Sequence, residues 1–181
     1  MQDIIENLQQ FGPLKFIQEW LQPFIIEIAQ FTAAVPLVWQ VVAVVVWSAI
    51  PFIESDVGVA IGIGVGVSPI PATIAAIVGN WLAVMAVIIL TDKARTKLRG
   101  EKEAQSESKR SRRVMRAMQK FGVPGASLLG PLLVGTHLNA FCMAAAGVNK
   151  RYLMVWQTIA IVVWAIIFAA VMSGLMASVR G

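Results

Sequence analysis

Four stretches of this chain contain no Asp, Glu, Lys or Arg: between Glu27 and Glu54, between Asp56 and Asp92, between Lys120 and Lys150, and between Arg151 and Arg180. Each is of membrane length, because a helix crossing the hydrocarbon core needs about 20 mostly apolar residues. Charged residues make up only 14% of the chain, against about 25% in an ordinary soluble domain. The expected fold is therefore an all-α integral membrane protein.

The same composition removes several chemistries. One cysteine, Cys142, and one histidine, His137, cannot build a disulfide framework or a Cys/His zinc site. There is no GxxxxGK[ST] phosphate loop and no GxSxG nucleophile elbow. The chain is expected to be no enzyme, to need no cofactor and to hold no metal. Asp3 and Glu6 occupy the place where a secretory signal would carry bases, so the first membrane segment is expected to be retained.

Charge sets the orientation. Residues 1–91 hold one base and six acids, whereas residues 92–181 hold fourteen bases and four acids. Eleven of those bases lie between Lys93 and Lys120. Short basic loops stay in the cytoplasm, so residues 92–120 are expected there, with the N-terminus, in a bacterial inner membrane and with the C-terminus outside. The loop attracts anionic headgroups at about 1 kcal/mol per base near the surface. It has no interleaved aromatics, which argues against nucleic acid.

Along the chain, Leu14, Ile17, Leu21, Phe24, Ile25, Ile28 and Phe31 recur at spacings of three and four, the mark of an amphipathic helix. Over residues 1–32 this helix either lies in the interface or docks on the protein's own helices. Residues 33–91 are expected to form a first membrane half. In it, Val35 to Ile53 is a span with Trp39 and Trp47 as anchors, Pro51 to Val67 a re-entrant element, and Ile70 to Leu90 a second span. The reason is length: Val57 to Leu90 is 34 residues without a charge, about 50 Å as one helix against a core near 30 Å, and Pro69 and Pro71 interrupt it. Residues 121–181 form the second half. Phe121 to Val148, with Pro124 and Pro131, has broken-helix composition, and Tyr152 to Val179 is a last span. Lys150 and Arg151 stay cytoplasmic only if the segment before them enters and returns on one side. About three full spans and two re-entrant hairpins in an inverted repeat result. Pro51 then lies opposite Pro131 and Gly66 opposite Gly147. Short apolar segments broken by Gly and Pro at matching places in two halves point to a transporter's midplane site.

PFIES (Pro51 to Ser55), the glycine-rich VGVAIGIGVGV after it, VGNWLAVMAVI (Val78 to Ile88), FGVPGASLLGPLLVGTHLNA (Phe121 to Ala140) and Trp164 resemble the bacterial small multidrug export family, itself distantly similar to DedA-like membrane proteins. The resemblance covers Ala49 to Val171. It implies a polytopic membrane protein with paired re-entrant helices, and its DedA-like side implies movement of polyprenyl phosphate or phospholipid. The chain departs from that pattern twice. Asp56 stands where a base is expected after the first acid, and Thr136 and His137 stand where DedA-like proteins place arginines.

Ionisable groups at membrane depth default to function. Glu54 and Asp56 suit proton coupling or cation binding; alternatively, Ser55 or Asp56 caps a helix starting near Val57. Histidine changes charge near neutral pH, and His137, between Thr136 and Asn139, can meet Glu54 or Asp56 if the hairpin tips touch. Asn80 and Asn139 either ligand a headgroup or glue helices, with glue the expected use of Asn80, and Gly58, Gly62 and Gly66 read as a close-packing face. Lys120, Lys150 and Arg151 lie at the cytoplasmic mouth, where they anchor the protein or collect a phosphate-bearing headgroup. The expected function is a small secondary transporter or lipid flippase for an amphiphile, proton-coupled through Glu54, Asp56, His137, Asn139 and Thr136. The other reading is a non-catalytic subunit of a larger membrane complex. So few spans favour a homodimer.

Overall fold

The computed structural model describes residues 22–103 and 122–180. Among the described residues there are helices and no strands: α1 (Gln22–Ala34), α2 (Leu37–Ser48), α3 (Glu54–Gly64), α4 (Pro69–Glu103), α5 (Val123–Val134), α6 (Thr136–Ala145) and α7 (Lys150–Arg180). Residues 1–21 and 104–121, with the first part of the amphipathic stretch and Lys120, lie outside the described residues.

Two helices are long and apolar enough to cross a membrane, over Pro69–Lys97 and Lys150–Ser178, each 29 residues or about 43 Å. They correspond to the expected spans at Ile70 and Tyr152. The stretch from Val35 to Ile53 is different. It holds only the 12 residues of α2, about 18 Å, so as a single helix it does not cross. Proline explains both ends. Pro36 is the N-cap, and Pro51 has no N–H to give the Trp47 carbonyl, which instead accepts from Ile50 at 3.0 Å. The chain then leaves the helix through Phe52 (φ 71°) and re-enters at Glu54 (φ 53°). Pro69 and Pro71 start α4 rather than interrupting it, since first-turn N–H groups have no intrahelical partner to lose. The expected basic loop also begins as helix, because α4 continues to Glu103.

Both halves follow one plan: short helix, break with positive φ, short helix, Gly-Val turn, long helix. In the first turn Gly66 (φ +103°) donates to Ile63 at 3.1 Å and Val67 to Gly62 at 2.9 Å. In the second, Gly147 (φ +89°) donates to Ala144 at 3.0 Å and Val148 to Met143 at 3.1 Å. These are Schellman-type ends, which need a residue free to take positive φ. Gly66 therefore belongs to the turn and not to the packing face expected of it. Val67 and Val148 close each turn and are buried.

Helices α4 and α7 run antiparallel. Pro69 faces Ser173 across one groove, Trp81 Nε1 donates to Thr158 at 2.9 Å, and Lys150 Nζ meets Asp92 Oδ2 at 2.9 Å. The Gly66 turn lies beside Ser173 and Met176 at one end of this pair. The Gly147 turn lies against Arg95 at the other. The two Gly-Val turns thus lie at opposite ends of the α4–α7 pair, and the two breaks meet between them.

Close packing brings the pieces together. Gly58 faces the Ser48 side chain and Gly62 faces Ala72, while Gly79 of α4 abuts the Val45 carbonyl of α2. Val44, Val59, Ala72, Ala76 and Ala165 form the core beneath this contact, and Val84, Ile88, Ala140, Leu153 and Ile161 form a second core on the other side.

Candidate functional site

At the meeting of the breaks lies Glu54, the first residue of α3, 6% exposed. Its carboxylate reaches across to the start of α6. Thr136 Oγ1 donates to Oε2 at 2.6 Å, the His137 backbone N–H donates to Oε1 at 3.2 Å, and His137 Nδ1 lies 3.2 Å from Oε1. Helix α6 has no side-chain cap of its own, and its N-cap residue is Gly135 (φ +80°). Glu54 supplies that cap from 82 positions away in sequence, where the helix dipole favours a negative group. Gly135 is required twice, since a Cβ there would adopt a strained φ and lie 2.9 Å from Glu54 Oε1.

The capping expected within α3 does not occur. The helix begins at Glu54 with no side-chain cap, and Ser55 Oγ instead accepts from Asn80 Nδ2 at 3.2 Å, an interhelical bond between α3 and α4. Asn80 is 11 residues past Pro69, roughly 16 Å along the helix. This places the Glu54 cluster about a third of the way along α4, within its apolar stretch, and Trp164, which lines the same cavity, near the middle of α7.

Helix α5 is tied to its neighbours by their side-chain donors. Pro131 stands inside it and breaks the ladder of backbone bonds. Trp164 Nε1 donates to the Leu128 carbonyl at 2.8 Å and Asn139 Nδ2 to the Ala126 carbonyl at 2.8 Å. Gln157, buried on α7, donates to Ser127 Oγ at 3.4 Å. Asn139 is thus committed to helix packing, its amide filling the space over Gly130, and does not line the cavity. Sequence reasoning passed over Gln157 and Ser127. A glutamine within the last apolar run was the available signal, because a polar group at that depth needs a partner.

A cavity of about 40 Å³ lies under the clasp, with Glu54, Asp56, Thr136, Trp164 and Phe168 in its wall. It has room for about one water-sized group. His137 Nε2 is buried without a hydrogen-bond partner among the described residues. Lys150 is paired with Asp92 at a partly exposed site, Arg151 is exposed, and neither approaches the cavity. Among the described residues no group of His, Cys, Asp or Glu is placed to hold a metal ion.

Residues 54–167, from the clasp carboxylate to just past Trp164, match the family described as "Putative small multi-drug export protein". The chain belongs to the small multi-drug export family. The matched span begins at Glu54 and includes α3 through most of α7, so both halves of the clasp lie within the family's own boundaries. No curated protein matches the chain, and no solved structure does.

Thr136→Val tests the clasp with little change of shape. It removes the 2.6 Å bond and is expected to lower stability by about 1.5–3 kcal/mol, the usual range for a hydrogen bond to a charged group. Thermal unfolding of the detergent-solubilised protein measures it. An unchanged midpoint would show that the Thr136 bond carries no weight.

Proposed function

We propose that the chain is a secondary transporter whose substrate passes between the two breaks, with proton movement at Glu54 opening and closing the clasp. The observation that carries this is the direct bonding of the first break to the second, within the apolar length of two antiparallel helices long enough to span a membrane. In this reading α4 and α7 span the bilayer, α2–α3 and α5–α6 are re-entrant pairs entering from opposite sides, and the halves form an inverted repeat. Irregular backbone at that depth is tolerated where it lines a cavity, and broken helices meeting at the midplane suit alternating access. Protonating Glu54 removes the charge that the α6 N-terminus and Thr136 hold, so the clasp weakens and the tips part. A homodimer in a bacterial inner membrane completes the proposal.

The test is flux in proteoliposomes of purified protein, with and without an imposed pH gradient, against polyprenyl phosphate, phospholipid and lipophilic cations. Movement of one class, driven by the gradient and lost in Glu54→Gln, is the expected result. No movement by folded protein sinks the reading and favours an accessory subunit.

Topology is checked with single cysteines in a Cys142→Ala background. Ser68→Cys should react with an impermeant maleimide added outside, and Lys150→Cys only after permeabilisation. Losing the Lys150–Asp92 pair costs under about 1 kcal/mol at such an exposed site, so the fold survives the label. Both residues reacting from one side would overturn the inverted arrangement. Position 55 is unsuited to labelling, because Ser55 is 3% exposed.

A further inference from the structure

The two neighbouring acids do different work. Glu54 spends its carboxylate on Thr136 and His137, whereas no side chain among the described residues bonds to Asp56, which faces the same cavity. The same cavity wall holds an aromatic pair. Trp164 is fixed in place by its 2.8 Å bond to the Leu128 carbonyl, and Phe168, one turn further along α7, lies with its ring centroid 6.2 Å from that of Trp164 at an interplanar angle of 50°. Leu132 and Ile161 complete an apolar wall, and no Lys or Arg lines the cavity.

This chemistry discriminates by charge. A phosphate is held by Arg or Lys donors or by an open helix N-terminus; here no base lines the cavity, the α6 N-terminus is already occupied by Glu54, and a phosphate would meet the carboxylates of Glu54 and Asp56. A cation is drawn to Asp56 and to the two rings, since aromatic faces attract positive charge and a desolvated carboxylate seeks a counter-charge. From this arrangement, and resting on the transporter reading above, we propose that the substrate is an organic monovalent cation with apolar substituents, its charge met by Asp56 and its body packed on Trp164 and Phe168. Pockets for drug-sized ligands measure about 300–1,000 Å³, well above the 40 Å³ enclosed here. Entry therefore requires α6 to move away from Glu54, which ties binding of the cation to release of the clasp.

Binding is measured apart from transport, by equilibrium dialysis of the purified full-length protein in detergent against radiolabelled tetraphenylphosphonium, with geranylgeranyl phosphate as competitor. Saturable binding that geranylgeranyl phosphate does not displace is expected. Asp56→Asn should weaken it about 30-fold or more, as for loss of one partner of a buried charge pair. Trp164→Leu should weaken it about tenfold, while Trp164→Phe, which keeps a ring, should stay much closer to wild type. Should Asp56→Asn not fold, Asp56→Glu keeps the charge and is expected to bind. In that case the Trp164→Leu against Trp164→Phe contrast decides. Absence of saturable binding by folded protein, unaltered binding by Asp56→Asn, equal binding by the two Trp164 variants, or displacement by the phosphate overturns the proposal. Flux of a phosphate lipid without cation binding would sink the cation site and leave the transporter reading standing. Cation binding without flux of any substrate would do the reverse.

Discussion

Glu54→Gln is expected to abolish gradient-driven flux and to lower the stability of the solubilised protein by about 1.5–3 kcal/mol. The carboxylate accepts from a hydroxyl and a backbone N–H and touches an imidazole nitrogen. An amide offers one oxygen to those partners and turns an NH₂ group toward the rest. Glu54→Ala should cost more, about 3–5 kcal/mol, because it strands buried partners outright. Flux is therefore to be normalised to folded protein, and the decisive comparison is with Thr136→Val. Both variants weaken the clasp, but only Glu54→Gln removes the titrating group. If the two lose flux in proportion to their loss of stability, Glu54 is a cap and nothing more. If Glu54→Gln is inactive at a stability where Thr136→Val still transports, the proton passes through Glu54. Full activity of Glu54→Gln would overturn proton coupling at this residue.

Gly79→Ala should destabilise the fold by about 1–3 kcal/mol, the reverse of what helix propensity dictates. In an exposed helix interior the same change gains about 1 kcal/mol. Here the new methyl group would run into the carbonyl oxygen and Cα of Val45, backbone atoms of α2 that cannot rotate aside. Helix α2 must move away from α4, loosening the core around Val44 and Ala76. Gly174→Ala, on α7 with nothing within 4 Å of the added carbon, is the control and should leave stability unchanged or raise it. Thermal midpoints of the two variants, read in one detergent, separate the effects. Equal midpoints would mean that the α2–α4 contact is looser than the structure shows.

These two positions mark how far a sequence can be read. Glu54 stood out because a carboxylate beside an apolar run is costly and must have a use. Gly79 did not, because its neighbours in sequence, Val78 and Asn80, carry no sign of how near Val45 comes. The reverse holds for Gly66, whose four-residue spacing from Gly58 and Gly62 suggested a packing face. Only the observed φ of +103° assigns it to a turn. Asn139 left two uses open, ligand or helix glue, and His137 a partner in Glu54 or Asp56. The structure turns one to the carbonyl of Ala126 and the other to Glu54.

The sequence by itself determined membrane residence, the positions of the two long helices, the broken segments around Pro51 and Pro131, and the family. Each of these is written in local properties: hydropathy over about 20 residues, the missing N–H of proline, the freedom of glycine, and short motifs. Tertiary structure alone decided that the stretch from Val35 to Ile53 stops as a 12-residue helix, and that Glu54 rather than Asp56 holds the α6 N-terminus. It also decided that Asp56 shares a cavity wall with Trp164 and Phe168. Those outcomes depend on α4 and α7 lying antiparallel, so that two breaks about eighty residues apart in sequence arrive at the same height. A hydrogen bond of 2.6 Å between Thr136 and Glu54 is set by that arrangement in space, to tenths of an ångström, and no window of neighbouring residues contains it.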